Sequence, residues 1–125
     1  MRDDLDALAR QRQLDESELA RTLLDEAIRH EKHARIVFRP TPTGRQACIE
    51  GRRVYVWQVM ETVWASDGNV DEAADYLDLT ADQVRSAVRY CAEYRHEIEG
   101  QIRANRDAAE GERRLWENAQ EALRR

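Results

Sequence analysis

Two helix-start signals lie eleven residues apart in the second half of the chain, and they constrain the fold more than any other feature. Asn69 can cap one helix, with Glu72 three residues later closing a capping box. Thr80 and Gln83 repeat the same arrangement. Between the two signals there is room for one short helix and a turn of three or four residues around the apolar Leu79. The pattern therefore predicts two helices joined by a tight turn, a helix-turn-helix.

The side chains of this segment separate into an apolar and a polar face. The apolar residues recur at helical spacing; they are Val70, Ala73, Ala74, Leu77, Leu79, Val84, Ala87, Val88 and Cys91. The outward face of the second helix carries Gln83, Arg85, Ser86 and Arg89. These types can bond base edges or phosphates, which favours DNA binding. A purely structural corner is the alternative, and it is favoured by the acidic neighbours Asp71, Glu72, Asp75, Asp78 and Asp82.

Composition limits both the core and the choice of partners. The chain has 125 residues, of which 36% are charged, so a small core with long solvated helices is expected. The net charge of −5 argues against a protein that coats nucleic acid or an anionic membrane. An acidic chain is suited instead to a basic protein partner.

No apolar run approaches the ~20 residues of a membrane span, and the first residues, MRDDLDALAR, lack the basic start and apolar middle of a signal peptide. We therefore expect a cytoplasmic protein without a membrane partner. Cys48 and Cys91 are too few for a disulfide framework, so they are expected to be reduced thiols that act as small hydrophobes.

On the N-terminal side of the motif, the apolar residues recur first at the spacing of helices and then at the spacing of strands. Residues 5–33 predict two helices separated near Gln13 and Leu14, with Asp15 and Glu18 forming a capping box at the second. Apolar residues of the second helix predict a homodimer seam; they are Leu19, Leu23, Leu24 and Ile28. Strands are predicted at residues 36–38, 47–49 and 53–56, with a turn at 40–44 and a break at Gly51.

Arginines are concentrated in this predicted β-ribbon. Residues 35–53 contain one acidic residue, Glu50, and five arginines, which are Arg35, Arg39, Arg45, Arg52 and Arg53. A basic ribbon of this kind can lie on phosphates, and Arg45, Arg52 and Arg53 are its candidate DNA contacts. The alternative is that these arginines pair with the surplus carboxylates of the chain.

Residues 91–125 predict one long helix, or two, with a thin apolar stripe. Asn105 and Glu112 interrupt the stripe, so a coiled coil is not favoured. The stripe needs a partner, which can be the core of the same chain, a second copy or another protein. A large aromatic such as Trp116 is an effective interface anchor. The candidate partner-binding residues are Ile102, Leu115, Trp116 and Leu123.

These patterns together predict a mainly α fold in three segments. Residues 1–34 are expected to form an N-terminal helical pair for dimerisation. Residues 35–97 are expected to form a helix-turn-helix domain with a small β-ribbon, and residues 98–125 a C-terminal helical tail.

Two stretches of residues 44–97 match a known family pattern. The stretch GRQACIEGRRVYVWQV corresponds to the family's Gly-x-Pro-x-Ile-x-Gly-Thr-Arg-Ile-x-Val-Trp start, with Gln46 in place of Pro and Arg52 in place of Thr. The second stretch is VDEAADYLDLTADQVRSAVRYCAEYRHEI. The segment resembles the domain of unknown function 433 family, which includes antitoxins of Vap-type toxin–antitoxin modules. The resemblance implies an antitoxin or DNA-binding regulator whose partner is a PIN-domain ribonuclease.

The N-terminal stretch LDALARQRQLDESELARTLLDEAI resembles the helical pair of ribbon-helix-helix regulators, which are homodimers. Only four residues precede Leu5, so the strand that reads DNA in those proteins is missing or a stub. Asp15 and Glu16 stand where that family tends to place Ser and Arg, and carboxylates there would repel phosphate. The resemblance therefore implies a dimerisation module without its own DNA contact.

Catalytic and metal-binding patterns are weak. His30 and His33 follow Glu26 at a spacing that can converge on a metal, but surface histidines are the better interpretation, because no fourth ligand is visible. We expect no enzymatic activity, cofactor or metal.

The sequence predicts the antitoxin of a type II toxin–antitoxin module. It would neutralise a PIN-type ribonuclease toxin with its C-terminal helix, aided by opposite charges, and repress its own promoter. The alternative is a structural or adaptor protein that oligomerises without binding DNA.

Overall fold

A computed structural model describes residues 1–124, which form six helices and one two-stranded antiparallel sheet. The helices are α1 (Arg2–Arg12), α2 (Glu16–Lys32), α3 (Val56–Ala65), α4 (Val70–Leu77), α5 (Ala81–Glu93) and α6 (Arg95–Ala122). The strands are β1 (Ile36–Thr41) and β2 (Gly44–Ile49). The chain is 70% helical, which confirms the mainly α class. It divides into two compact units, one ending at Arg53 and the other beginning at Val54.

In the first unit, a sharp corner joins α1 to α2. Gln13 has a left-handed backbone conformation with φ of 59°, and Leu14 donates its N–H to the carbonyl of Ala9 at 2.9 Å. The Asp15 side chain then accepts the N–H of Glu18 at 2.7 Å. The predicted break and the predicted Asp15 cap are both confirmed.

The β-hairpin that follows α2 is longer than the sequence indicated, and it lacks a third strand. β1 and β2 pair from Ile36 opposite Ile49 to Thr41 opposite Gly44. The strand predicted at residues 53–56 is wrong, because α3 begins at Val56. Gln58 accepts the N–H of Tyr55 at 2.9 Å and so stabilises the helix start, which outweighs the β-branched composition.

The second unit contains the predicted helix-turn-helix. Thr80 and Gln83 form a reciprocal capping box, with N···O distances of 3.1 and 2.9 Å. Asn69 accepts the N–H of Glu72 at 3.0 Å, so the side chain caps α4 as expected. The buried Leu79 donates its N–H to the carbonyl of Ala74 at 2.9 Å and closes the turn. The helix-turn-helix prediction is confirmed.

Helix α6 buries apolar side chains against α3 and α5 only in its first turns, and Arg106, one turn further on, forms an ion pair with Glu61 of α3 at 3.4 Å. Ile98 and Ile102 are buried, whereas residues 103–122 are exposed apart from the half-buried Gly111. At ~1.5 Å per residue, the exposed part is about 30 Å long. Beyond Ile102, the apolar residues of the tail stripe therefore lie outside the core of the second unit.

We expect Ile98→Ala to lower the free energy of unfolding by about 2–5 kcal/mol, because it leaves a cavity between α6 and its neighbours. Leu115→Ala, in the exposed part of the same helix, should change it by less than about 0.5 kcal/mol. Urea unfolding followed by circular dichroism measures both values. Equal losses for the two variants would show that the tail packs on the core after all.

Candidate functional site

The exposed face of α5 carries arginines and carboxylates together. Arg85 and Arg89 are exposed, as the sequence predicts. Arg85 Nη1 lies 2.6 Å from Asp82 Oδ1, and both side chains are more than half exposed. An exposed pair of this kind contributes little stability, but it places a carboxylate where a phosphate would have to approach. The face is therefore less basic than its arginines indicate.

Two of the predicted DNA contacts on α5 have structural roles. The Gln83 side-chain oxygen accepts the N–H of Thr80, so this residue caps the helix. Ser86 is only 6% exposed, and its hydroxyl donates to the carbonyl of Asp82 at 2.9 Å. The prediction that Ser86 lies on the outward face is wrong. A Ser hydroxyl can bond its own helix backbone four residues earlier, which allows Ser on a buried face.

Electrostatics around the helix-turn-helix oppose phosphate binding. Residues 54–97 contain nine carboxylates and three arginines. DNA-binding surfaces need a positive potential to displace the counterions of the duplex. The residues that build this motif therefore form an acidic body with a small mixed-charge patch at Arg85 and Arg89.

The arginines of the hairpin are used differently from one another. Arg45 donates from Nε and Nη2 to the two carboxylate oxygens of Glu26, at 2.6 and 2.9 Å, and also to the carbonyl of Phe38 at 3.1 Å. It therefore ties β2 to α2, and we correct its assignment as a DNA contact. Arg52 is half-buried, and its carbonyl accepts a hydrogen bond from the Cys48 thiol. Arg53 is exposed.

The apolar face of α2 divides between the core and the surface. Leu19 is fully buried in its own chain, so the prediction that it lies at a dimer seam is wrong. Leu23 is half-buried. Leu24 and Ile28 are 63% and 48% exposed, and they share a stripe with the exposed residues Ala20 and Ala27.

Among the predicted partner-binding residues, only those near the end of α6 reach the surface. Ile102 is 6% exposed because it packs in the core, so its assignment to a partner interface is wrong. Leu115, Trp116 and Leu123 are 70%, 62% and 81% exposed. Residues 98–125 contain six arginines and six carboxylates, so the tail is neutral rather than acidic.

A cleft of about 320 Å³ lies at the point where α6 leaves the core. Its lining residues are Trp64, Glu99, Ile102, Arg103, Arg106 and Asp107. Trp64 is 38% exposed. The guanidinium of Arg95 lies over its ring, 5.2 Å from the centroid.

Thiol and histidine groups have structural surroundings. Cys48 and Cys91 are free and buried, as predicted. Burial raises the pKa of the Cys91 thiol; the charge of Arg95 lowers it by a smaller amount, and the charge of Glu99 raises it slightly further. His30 Nδ1 lies 2.7 Å from the carbonyl oxygen of Ile36 and can donate to it. Among residues 1–124 we find no cluster of three metal-ligating side chains. Within the same range, no helix combines the length and hydropathy needed to cross a membrane.

Residues 36–91 match the family model described as "Protein of unknown function (DUF433)". These residues, which run from the start of β1 into α5, are similar to the domain of unknown function 433 family. The family resemblance is thus confirmed, while the description names no activity. The segment that resembles ribbon-helix-helix proteins lies outside the match. Neither curated proteins nor solved structures gave a match.

Sequence reasoning missed the pair of Arg45 and Glu26, because no local pattern connects two residues 19 positions apart. It also missed Ala20, which is exposed on α2 although its neighbour Leu19 is buried. The alternation of large and small apolar residues along α2 was the one available signal.

We expect Arg45→Ala to lower the free energy of unfolding by about 2 kcal/mol, because it leaves the Glu26 carboxylate half-buried without its partner. Arg53→Ala, at an exposed site in the same unit, is the matched control and should change the value by less than about 0.5 kcal/mol. Urea unfolding monitored by circular dichroism measures the difference. If both variants keep the stability of the parent chain, Arg45 is available for a ligand.

Proposed function

We propose that this chain is a non-catalytic protein-binding module, the antitoxin of a type II toxin–antitoxin pair. The exposed part of α6, residues 103–122, together with Leu123, would bind a PIN-type ribonuclease. The proposal rests on one observation. Helix α6 continues past its last core residue, Ile102, and its large apolar side chains, Leu115 and Trp116, are mostly exposed.

A long exposed helix with large apolar side chains favours a protein partner. Isolated helices are marginally stable in water, and most helical stability comes from packing of an apolar face. Trp116 and Leu123 are seven residues apart and share a face with Ala119 between them. The same face carries Ile98 and Ile102 inside the core. A partner that packs on the tail would therefore continue an existing apolar stripe.

Protein binding is also favoured over DNA reading by the charges. The helix-turn-helix body is acidic, Gln83 and Ser86 are engaged inside the fold, and Arg45 is paired with Glu26. The acidic body, rather than the neutral tail, would speed association with a basic ribonuclease. Excluding RNA from the partner's active site requires no chemistry from this chain, and the proposed pair would act in the cytoplasm.

We further propose that the chain forms a homodimer through the exposed stripe of α2. Leu24 and Ile28 are large apolar residues at its centre, and Ala20 and Ala27 allow a second helix to approach closely. A dimer would present two copies of Arg85 and Arg89, so the mixed-charge patch of α5 could act bivalently on promoter DNA. Promoter binding is thus a second proposed activity, dependent on the dimer.

For the tail, we expect Trp116→Ala to weaken binding of the ribonuclease encoded by the neighbouring gene by about 2 kcal/mol or more, roughly 30-fold. Arg114 lies on the opposite face of α6, so Arg114→Ala is the matched control. This variant should bind the ribonuclease with the affinity of the parent chain. Removal of the chain after Gly111 should abolish binding and toxin neutralisation but leave the unit folded, since the core ends at Ile102. Isothermal titration calorimetry and a growth-rescue assay measure these effects.

Full neutralisation by the chain truncated after Gly111 would overturn the assignment of the tail. An unfolded truncated chain would contradict the exposed arrangement of α6. Loss of binding by Trp116→Ala and Arg114→Ala alike would show that the contact is not confined to the apolar face.

For the dimer, we expect the double variant Leu24→Glu, Ile28→Glu to sediment as a monomer, because it places carboxylates in an apolar seam without partners. Leu115→Glu adds one carboxylate to the tail instead, and this control should remain dimeric. Sedimentation velocity distinguishes the two species. A monomeric parent chain would refute the α2 seam, and a monomeric Leu115→Glu variant would move the seam to α6.

A further inference from the structure

A cleft of about 660 Å³ lies within the first unit, where the end of α1 faces the turn of the hairpin. Its walls come from four parts of this unit, and the lining residues are Leu8, Gln11, Arg12, Leu14, Thr22, Pro40, Thr41, Gly44 and Arg45. The volume lies in the range of small-molecule sites. Two of the lining residues are arginines and none is acidic.

The two arginines of the cleft differ in their partners. Arg45 is neutralised by its two hydrogen bonds to Glu26. Arg12 is half-buried, and its Nη1 is shielded from solvent with no hydrogen-bond acceptor within residues 1–124. A buried cationic N–H group without an acceptor is strongly unfavourable. The cleft therefore holds one uncompensated positive charge, which belongs to Arg12.

We propose that this cleft binds a carboxylate attached to an apolar body, with Arg12 as the residue that pairs with the carboxylate. One uncompensated guanidinium matches one monoanion, and its planar fork matches the two oxygens of a carboxylate. Leu8, Leu14 and Pro40 form the apolar wall against which the body of the ligand packs. This site is independent of the tail and of its proposed partner.

Benzoate is the first probe, and benzamide is its uncharged analogue. In ¹H–¹⁵N spectra of the full chain, benzoate should shift the Arg12 Nε–H resonance saturably at millimolar concentrations, and benzamide should not. Arg12→Gln should weaken benzoate binding by about ten-fold or more, because it removes a charge-assisted pair. Arg10→Gln, on an exposed arginine of the same helix whose Nε bonds the Asp6 carbonyl, is the matched control and should leave the affinity unchanged.

A second pair of probes identifies the source of the carboxylate. The capped peptides Leu-Glu-Leu and Leu-Gln-Leu differ only in charge. Preference for the first peptide over both Leu-Gln-Leu and benzoate would support a protein segment as the ligand, whereas preference for benzoate would support a small molecule. Equal binding of benzoate and benzamide, an unchanged affinity in Arg12→Gln, or the absence of any shift would each overturn the proposal. The backbone amide spectrum of Arg12→Gln reports directly whether the variant is folded.

Discussion

The packing of α6 against α3 and α5 sets what the second unit can present to other molecules. Ile98 and Ile102 occupy this contact, and the buried Tyr90 of α5 donates its hydroxyl to Glu97 of α6 at 2.7 Å. The apolar contact ends at Ile102, because α3, α4 and α5 are short helices. A single apolar stripe therefore stabilises the fold in its first turns and is exposed in the remainder.

Charge decides how the helix-turn-helix should be interpreted. The motif has the capping and the tight turn of a DNA-binding unit, and the helix bearing Arg85 and Arg89 is exposed along one face. Backbone geometry of this kind serves structural and DNA-binding proteins equally. The surrounding carboxylates reduce the attraction for phosphate, which supports protein recognition as the main activity.

The first unit shows how one ion pair can change the interpretation of a basic segment. The bidentate pair of Arg45 and Glu26 turns an apparent phosphate contact into a tertiary link between β2 and α2. The same pairing leaves Arg12 as the uncompensated cation in the cleft of this unit. Formal charge along the sequence could not separate these two arginines, because their difference arises from neighbours that are distant in the chain.

Local sequence signals were enough to predict the helix starts at Asp15, Asn69 and Thr80, the corner at Gln13 and the family of residues 36–91, because caps and turns depend on neighbouring residues. Which members of an apolar stripe are buried depends instead on how the helices pack in three dimensions. Ile102 and Trp116 lie on one face of α6, yet the first is in the core and the second is exposed. Periodicity defines a face of a helix, but the length of the neighbouring elements determines how far along that face the core extends.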